Sequence, residues 1–168
     1  MPMTGNQKVG NLGERISSLY LVSKGFSFIE RNYWKPCGEI DIIMKKDREL
    51  YFIEVKTVSC ETRILPVTPE TKPHFFTTYF FSLFDSILPN EYSYVVYPYD
   101  SNTMGQVDEY KPEDNLHTWK LKRMRRVIDK YLEEKKLVDY DWNFIALTVR
   151  LDRKKKRAFI ECFDEMVL

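Results

Sequence analysis

Two stretches of the sequence, GEIDIIMKK and ELYFIEVKT, carry charged residues inside apolar runs. Because side chains alternate across a strand, Glu39 and Asp41 are predicted to share one face, and Glu54 is predicted to share a face with Lys56. If the two strands are neighbours, Asp41 meets Glu54 and Lys56 on one side of the sheet. The opposite faces are then apolar, with Ile40, Ile42, Ile53 and Val55.

Such a cluster has two interpretations. Buried carboxylates are costly when they are unpaired, and a divalent cation between them removes that cost. Mg²⁺ binds one or two carboxylates together with water and substrate phosphate, and a nearby lysine orients an attacking water or offsets charge on the phosphate. An Asp, a spacer of twelve residues and then Glu-x-Lys therefore indicates phosphodiester cleavage. The alternative is an ordinary ion-paired sheet edge, with Lys56 neutralising Glu54.

The flanking residues favour the first interpretation. GEIDII followed by YFIEVKT resembles the core of the PD-(D/E)XK nuclease superfamily. More narrowly, it resembles the YraN-like family of predicted endonucleases, itself similar to archaeal Holliday-junction resolvases. The resemblance includes GNLGERISSLYLVSKGFSFIERNY, and it resumes at NLHTWKLKRMRRVIDKYL and DWNFIALTV. Together these segments cover roughly two-thirds of the chain in the family's order.

The resemblance implies a role for individual residues. The metal-binding aspartate falls on Asp41, the second carboxylate on Glu54, the catalytic lysine on Lys56 and a helix-borne acidic residue on Glu14. It implies Mg²⁺ as the cofactor, with Mn²⁺ as a substitute. Glu39 is interpreted either as a further metal ligand or as a residue that supports the ligands.

The chain departs from the family in two places. The family often follows its Glu-Val-Lys-Thr with arginine, whereas this chain has Val58 there and Arg63 later. The family also joins this strand to the next helix by a much shorter segment. Neither departure removes a metal ligand, but the long segment leaves the shape of a substrate groove open.

The elements that position these residues follow from apolar periodicity. The sequence predicts a helix from about Gln7 to Lys24, ended by Gly25, and then three strands, of which the last two form a hairpin. A second helix is predicted from Leu116 to about Lys136, followed by the closing strands WNFIALTVRL and RAFIECF. Between about 58 and 115 lies an insertion, in which FFTTYFFSLFDSIL is a candidate helix and YSYVVYPY a candidate strand.

The second helix carries a basic cluster with few acidic residues. We expect it to contact nucleic-acid phosphates beside the site, and the family also has a lysine at Lys120. The alternative is a solvated helix face. The basic turn Arg153–Arg157 is either a polar hairpin turn or a second contact with the DNA backbone. The candidate nucleic-acid-binding residues are Lys120, Lys122, Arg123 and Arg126.

The composition fits one soluble domain, residues 1–168, of 43% hydrophobic residues and a net charge of +1. The three cysteines predict neither disulfides nor a zinc site, and no signal peptide or membrane span is expected, so a cytoplasmic protein is expected. The predicted fold is α/β, a restriction-endonuclease-like mixed sheet with flanking helices in the order α-β-β-β-α-β. The predicted function is Mg²⁺-dependent cleavage of duplex or branched DNA, with a homodimer left open. The alternative is a non-catalytic nucleic-acid-binding or interaction module on the same scaffold.

Overall fold

A computed structural model of the protein describes residues 4–59, 95–98 and 118–163. The described residues form a helix, three strands, a fourth short strand, a further helix and two closing strands. In order, these are α1 (Gly5–Ser23), β1 (Ser27–Lys35), β2 (Gly38–Lys46), β3 (Glu49–Ser59), β4 (Val95–Pro98), α2 (Thr118–Lys135), β5 (Trp142–Asp152) and β6 (Arg157–Phe163).

The six strands form one mixed sheet in the order β1-β2-β3-β5-β6-β4. β1, β2 and β3 are a continuous antiparallel meander, β3 pairs in parallel with β5, and β5 and β6 form a second antiparallel hairpin. The α/β class, the mixed sheet and the flanking helices predicted from the sequence are confirmed. The arrangement is consistent with a restriction-endonuclease-like fold.

The sheet is covered on both faces, one by each helix. Residues on β3 alternate between two apolar clusters, since Ile53 packs with Ile16 of α1 while Phe52 packs with Ile128 of α2. The apolar stripe predicted for the second helix is buried, with Met124, Val127, Ile128, Tyr131 and Leu132 all at most 5% exposed. The two helices therefore hold the sheet in a three-layer sandwich and fix what lies on each face.

The first helix begins and ends where its sequence indicates. Thr4 and Gln7 form a capping box, in which the Thr4 backbone N–H donates to Oε1 of Gln7 at 2.8 Å. Gly25 follows the helix at a φ of 89°, a left-handed conformation that glycine adopts without a steric penalty. The chain then turns directly into β1, so the position of α1 on the sheet is set by a short connection.

Most of the predicted insertion lies outside the described residues, including the candidate helix FFTTYFFSLFDSIL. The candidate strand within YSYVVYPY is confirmed as β4, which pairs in parallel with β6 at the edge of the sheet. Its Val96 is fully buried in the cluster on the α1 side. Among the described residues, no helix is long and apolar enough to cross a bilayer.

Candidate active site

The candidate site lies where β2 and β3 separate. Their ladder runs from Lys46 opposite Glu49 to Ile42 opposite Ile53. Beyond Ile42 and Ile53, β2 continues its pairing with β1, and β3 continues its pairing with β5 as far as Ser59. The sheet is therefore split at one end, and Asp41 and Glu54 are the first residues on the two sides of the split.

Asp41 spans this split with its side chain. Its Oδ2 accepts a hydrogen bond from the backbone N–H of Val55 at 2.7 Å, so the carboxylate replaces a backbone partner that β2 no longer supplies. This contact fixes Asp41 beside Glu54, the residue before Val55. The neighbourhood of Asp41 and Glu54 predicted from the hairpin is thus present in the structure.

The predicted alternation of β2 is wrong at one point. Ile40 packs in the cluster on the α2 side, whereas Ile42 packs on the α1 side, so these two residues do not share a face. β1 is irregular opposite this position, because Asn32 lies between the residues paired with Ile42 and Ile40 and has a φ of 56°. Asparagine is one of the few residues that adopt this conformation readily. The left-handed Asn32 therefore accompanies the change of face between Ile42 and Ile40.

Glu54 lies on the α2 side of β3 and is bound by a lysine of that helix. Nζ of Lys120 donates to Oε1 of Glu54 at 2.5 Å, and both side chains are partly buried. A charge-assisted pair of this kind neutralises a carboxylate that would otherwise lie unpaired at the split. Lys120, predicted as a phosphate contact, therefore binds a predicted metal ligand in this structure.

Lys56 follows Glu54 on the same face of β3, as predicted, and is exposed. It has no hydrogen bond or ion pair with any residue that the structure describes. The simple alternative for the motif, in which Lys56 neutralises Glu54, is therefore not what the structure contains, since Lys120 takes that role. Lys56 is left facing solvent beside the two carboxylates.

Glu14 reaches the site from α1 because that helix approaches β3 very closely. Gly13 is buried against Thr57, and a β-carbon at Gly13 would overlap three atoms of the Thr57 side chain. Only glycine fits at this contact. Oε2 of Glu14 is buried and has no hydrogen-bond partner among the described residues, an arrangement that is costly for a carboxylate.

Burial and neighbouring negative charges raise the pKa values of Asp41 and Glu14. Burial raises the pKa of Asp41 to about 8, and the negative charges of Glu54, Glu14 and Glu39 contribute, against the opposing Val55 hydrogen bond. Burial also raises the pKa of Glu14, and Glu39 and Glu54 add to it while Arg31 opposes it. Four carboxylates from α1, β2 and β3 therefore share one electrostatic environment, a condition that favours a cation.

The described residues contain no group of three or more His, Cys, Asp or Glu side chains arranged to hold a metal ion. The predicted set of Asp41, Glu54 and Glu14 is therefore close together but not assembled as a cage, because Lys120 holds Glu54 and the Val55 N–H holds Asp41. The chemistry of the site still fits Mg²⁺, which needs only one or two carboxylates and keeps several waters. Oε2 of Glu14 is buried without a hydrogen-bond partner among the described residues, which is compatible with a cation, and the charge of Arg31 already acts on this carboxyl group.

The remaining predicted residues lie around this centre. Glu39 is exposed and pairs across the strands with Trp34 of β1. Lys122, Arg123 and Arg126 are all exposed on α2, which begins beside the split. Arg123 is the most constrained of them, since its Nε donates to the carbonyl oxygen of Cys37 at 3.0 Å.

Three residues at or near the site are not among the residues predicted from the sequence patterns. Arg31 of β1 is close enough to Glu14 to oppose the rise of its pKa, but nothing in the local sequence distinguishes it. Thr57 belongs to the Glu-Val-Lys-Thr segment, and the structure adds that its side chain lies against Gly13, where α1 meets the sheet. Trp119 precedes Lys120 and is 58% exposed. The sequence does contain a sign of its position, since a large aromatic residue inside a basic run is unusual.

The chain resembles known proteins over the segment that contains the site. Residues 13–75 match the model of the uncharacterised protein family UPF0102. The match includes Glu14, Asp41, Glu54 and Lys56, while α2 lies outside it. The YraN-like (UPF0102) resemblance inferred from the sequence is confirmed over this segment.

Individual relatives agree. A UPF0102 protein of Campylobacter fetus is 52% identical over 50 residues, which are 30% of this chain and 45% of that protein. A UPF0102 protein of Clostridioides difficile is 46% identical over 54 residues, 32% of this chain and 47% of the relative. In both cases the matched segment spans less than half of the relative's length. A UPF0102 protein of Alkaliphilus metalliredigens is 26% identical over 155 residues, 92% of this chain and 96% of the relative.

Proposed function

We propose that this UPF0102-like chain is a Mg²⁺-dependent endonuclease of the PD-(D/E)XK type that hydrolyses DNA phosphodiester bonds. One observation carries the proposal: carboxylates from α1, β2 and β3 meet at a split in the sheet, next to a lysine without a partner among the described residues. Structural ion pairs do not call for so many negative charges in one partly buried place. Metal-dependent phosphodiester cleavage, in contrast, uses several carboxylates close together to hold the ion.

Each residue would have a distinct part. Asp41 and Glu54 would hold Mg²⁺ with help from Glu14, and the ion when bound supplies a Lewis acid and lowers the pKa of water. Val55 supports this arrangement by fixing Oδ2 of Asp41 through its N–H. Lys56, on the face that carries Glu54, would orient the attacking water or offset the negative charge that develops on the phosphate.

Lys120 would exchange partners during this process. In the structure it neutralises Glu54. With a divalent cation in the site, the Lys120 ammonium would release Glu54, because like charges repel, and it would be free to bind a phosphate of the DNA. The exchange would keep Glu54 paired in both states and avoid a buried unpaired charge.

A second candidate function has one observation in its favour. The Lys120–Glu54 pair neutralises Glu54 without any metal, as expected for a non-catalytic DNA-binding or interaction module on a nuclease scaffold. The two functions differ in their response to Mg²⁺. A ligand that binds only the folded state at 100 times its Kd stabilises a protein by about 2.7 kcal/mol, so thermal unfolding with and without Mg²⁺ separates them.

The direct test is cleavage of duplex, single-stranded, flap and four-way-junction DNA in Mg²⁺ and in EDTA. We expect cutting only with the metal, and we expect Asp41→Ala, Glu54→Ala and Lys56→Ala each to lose about 100-fold or more in rate. Circular dichroism confirms that each variant is folded, and Glu49→Ala, on β3 but remote from the split, is the matched control. Full activity of the Glu54→Ala protein would contradict the assignment.

A further inference from the structure

Trp119 occupies an unusual place for a large apolar side chain. It is 58% exposed in the first turn of α2, although the same helix buries Met124 and Tyr131 almost completely. The next residue, Lys120, binds Glu54 at the split in the sheet. Trp119 is therefore an exposed aromatic residue one position before the lysine that reaches the candidate active site.

The indole is also held by its surroundings. The Arg123 guanidinium lies 5.7 Å from the centre of the Trp119 ring, within the range of a cation–π contact. Arg123 is itself tied to the β1–β2 turn, because its Nε donates to the Cys37 carbonyl oxygen at 3.0 Å. A long, flexible side chain fixed in this way supports the ring from one side and keeps it standing out from the helix.

Trp119 begins a basic stripe along α2. Residues three and four apart lie on one helix face, and Trp119 is followed at this spacing by Arg123, Arg126 and Lys130, all of them exposed. No acidic residue takes one of these positions between Trp119 and Lys130, and Glu134 follows Lys130 at this spacing. Arg126 makes no ion pair or hydrogen bond with another described residue. The stripe runs for about 16 Å away from the split, at about 1.5 Å of rise per residue.

We propose that Trp119 stacks on an unpaired base of a DNA strand whose phosphates follow Arg123, Arg126 and Lys130. This inference rests on the proposed function and deepens it, since it names the substrate as DNA with a single-stranded segment next to the bond that is cut. Proteins that bind single strands combine aromatic platforms for the bases with a basic track for the backbone. The stripe has both parts in one line.

The positive charge of the stripe favours a nucleic-acid strand over an apolar protein partner. An apolar protein partner has no need of three cations beside one indole, whereas a polyphosphate strand matches them. The second large exposed tryptophan, Trp34, is 65% exposed but lies on β1 opposite Glu39, and it is not part of the basic stripe on α2. Bases inside a duplex are already stacked on one another, so only an unpaired base presents a face to Trp119.

The experiment measures binding in EDTA, so that no cleavage occurs, with fluorescently labelled oligothymidine and a blunt duplex of the same length. We expect Trp119→Leu to weaken oligothymidine binding about tenfold and to leave duplex binding unchanged. Trp119→Phe, which keeps an aromatic face, should recover most of the loss. Trp34→Leu is the matched control and should bind both DNAs like the wild type.

Two results would overturn the inference: Trp119→Leu binds oligothymidine as tightly as the wild type, or it loses duplex binding by the same factor. The proposed function fails separately. If the wild type binds oligothymidine through Trp119 but never cuts DNA in Mg²⁺, the stacking role of Trp119 is supported and the proposed nuclease activity is wrong. If the wild type cuts flap DNA and Trp119→Leu binds and cuts it equally well, the nuclease activity is supported and the stacking role of Trp119 is wrong.

Discussion

The contact between α1 and β3 predicts opposite outcomes for two glycines of the same helix. A β-carbon at Gly10 would meet nothing within 4 Å, whereas one at Gly13 would overlap the side chain of Thr57. Both residues lie inside α1, so both gain the same helical propensity when alanine replaces glycine. Gly10→Ala is therefore the matched control for Gly13→Ala.

The magnitudes follow from these contacts. Alanine in place of a mid-helix glycine stabilises by about 0.5–1 kcal/mol, and this is the whole effect expected for Gly10→Ala. Overpacking costs about 1–3 kcal/mol, because either the helix or the strand must shift. After subtraction of the helical gain, Gly13→Ala should destabilise by up to about 2.5 kcal/mol net, and by about 1–2 kcal/mol near the middle of the two ranges. For a protein of this size that lowers the Tm by about 2–8 °C, while Gly10→Ala should raise it by about 1–4 °C.

Thermal unfolding followed by circular dichroism measures both variants, and Gly13→Ala combined with Thr57→Ala supplies a rescue. Removal of Oγ1 and Cγ2 from Thr57 deletes two of the three atoms in the overlap, so the double variant should regain part of the loss. Equal stabilisation by Gly10→Ala and Gly13→Ala would refute the close approach of α1 to β3. The position of Glu14 at the split would then also be wrong, because it depends on the close approach of α1.

Three further predictions address charge. Because the folded protein keeps a proton on Asp41 up to a pH of about 8, whereas the unfolded chain releases it near the ordinary pKa of 3.8, the metal-free protein should lose stability as the pH rises across that window. Asp41→Asn should flatten this dependence, and an unchanged pH profile of urea unfolding would contradict the raised pKa. Arg150 and Glu161 form a buried ion pair at 2.9 Å, so Arg150→Met should cost about 3–5 kcal/mol in urea unfolding. Adding Glu161→Leu should recover most of that loss, and an equally unstable double variant would speak against the pair. Finally, the Lys120→Ala, Arg123→Ala double variant should weaken DNA binding for all sequences alike. It should also reduce the slope of log K against log salt by up to about two, since each phosphate that loses its cationic partner lowers the slope by about one. An unchanged slope would move the DNA path to the basic turn 153–157.

Local rules recovered most of the fold from the sequence. The period of the apolar residues identified both helices, and strand alternation with the polar turn at Asp47 identified the β2–β3 hairpin, whose register brings Asp41 next to Glu54. The face shared by Glu54 and Lys56 was also predicted, since β3 is regular and paired with β5 along its length. The helices, the hairpin and the alternation along β3 depend on residues that are near one another in the chain, whereas the pairing of β3 with β5 does not.

The features that escaped prediction are non-local. The opposite faces of Ile40 and Ile42 accompany the left-handed Asn32 on a different strand. The Lys120–Glu54 pair joins residues 66 positions apart, and no periodicity specifies which carboxylate a helix lysine will meet. Side-chain pairing of this kind depends on how the second helix crosses the sheet, which only the assembled fold determines.

In the proposed metal site, Asp41 and Glu54 hold a divalent cation that takes the place of the Lys120 ammonium. Calorimetric titration of Mn²⁺ into the metal-free protein measures this binding. We expect the wild type to bind the metal, Glu54→Gln to lose binding, and Lys120→Gln to bind more tightly because the competing charge is gone. No binding by the wild type, or equal binding by the wild type and Glu54→Gln, would contradict this proposal.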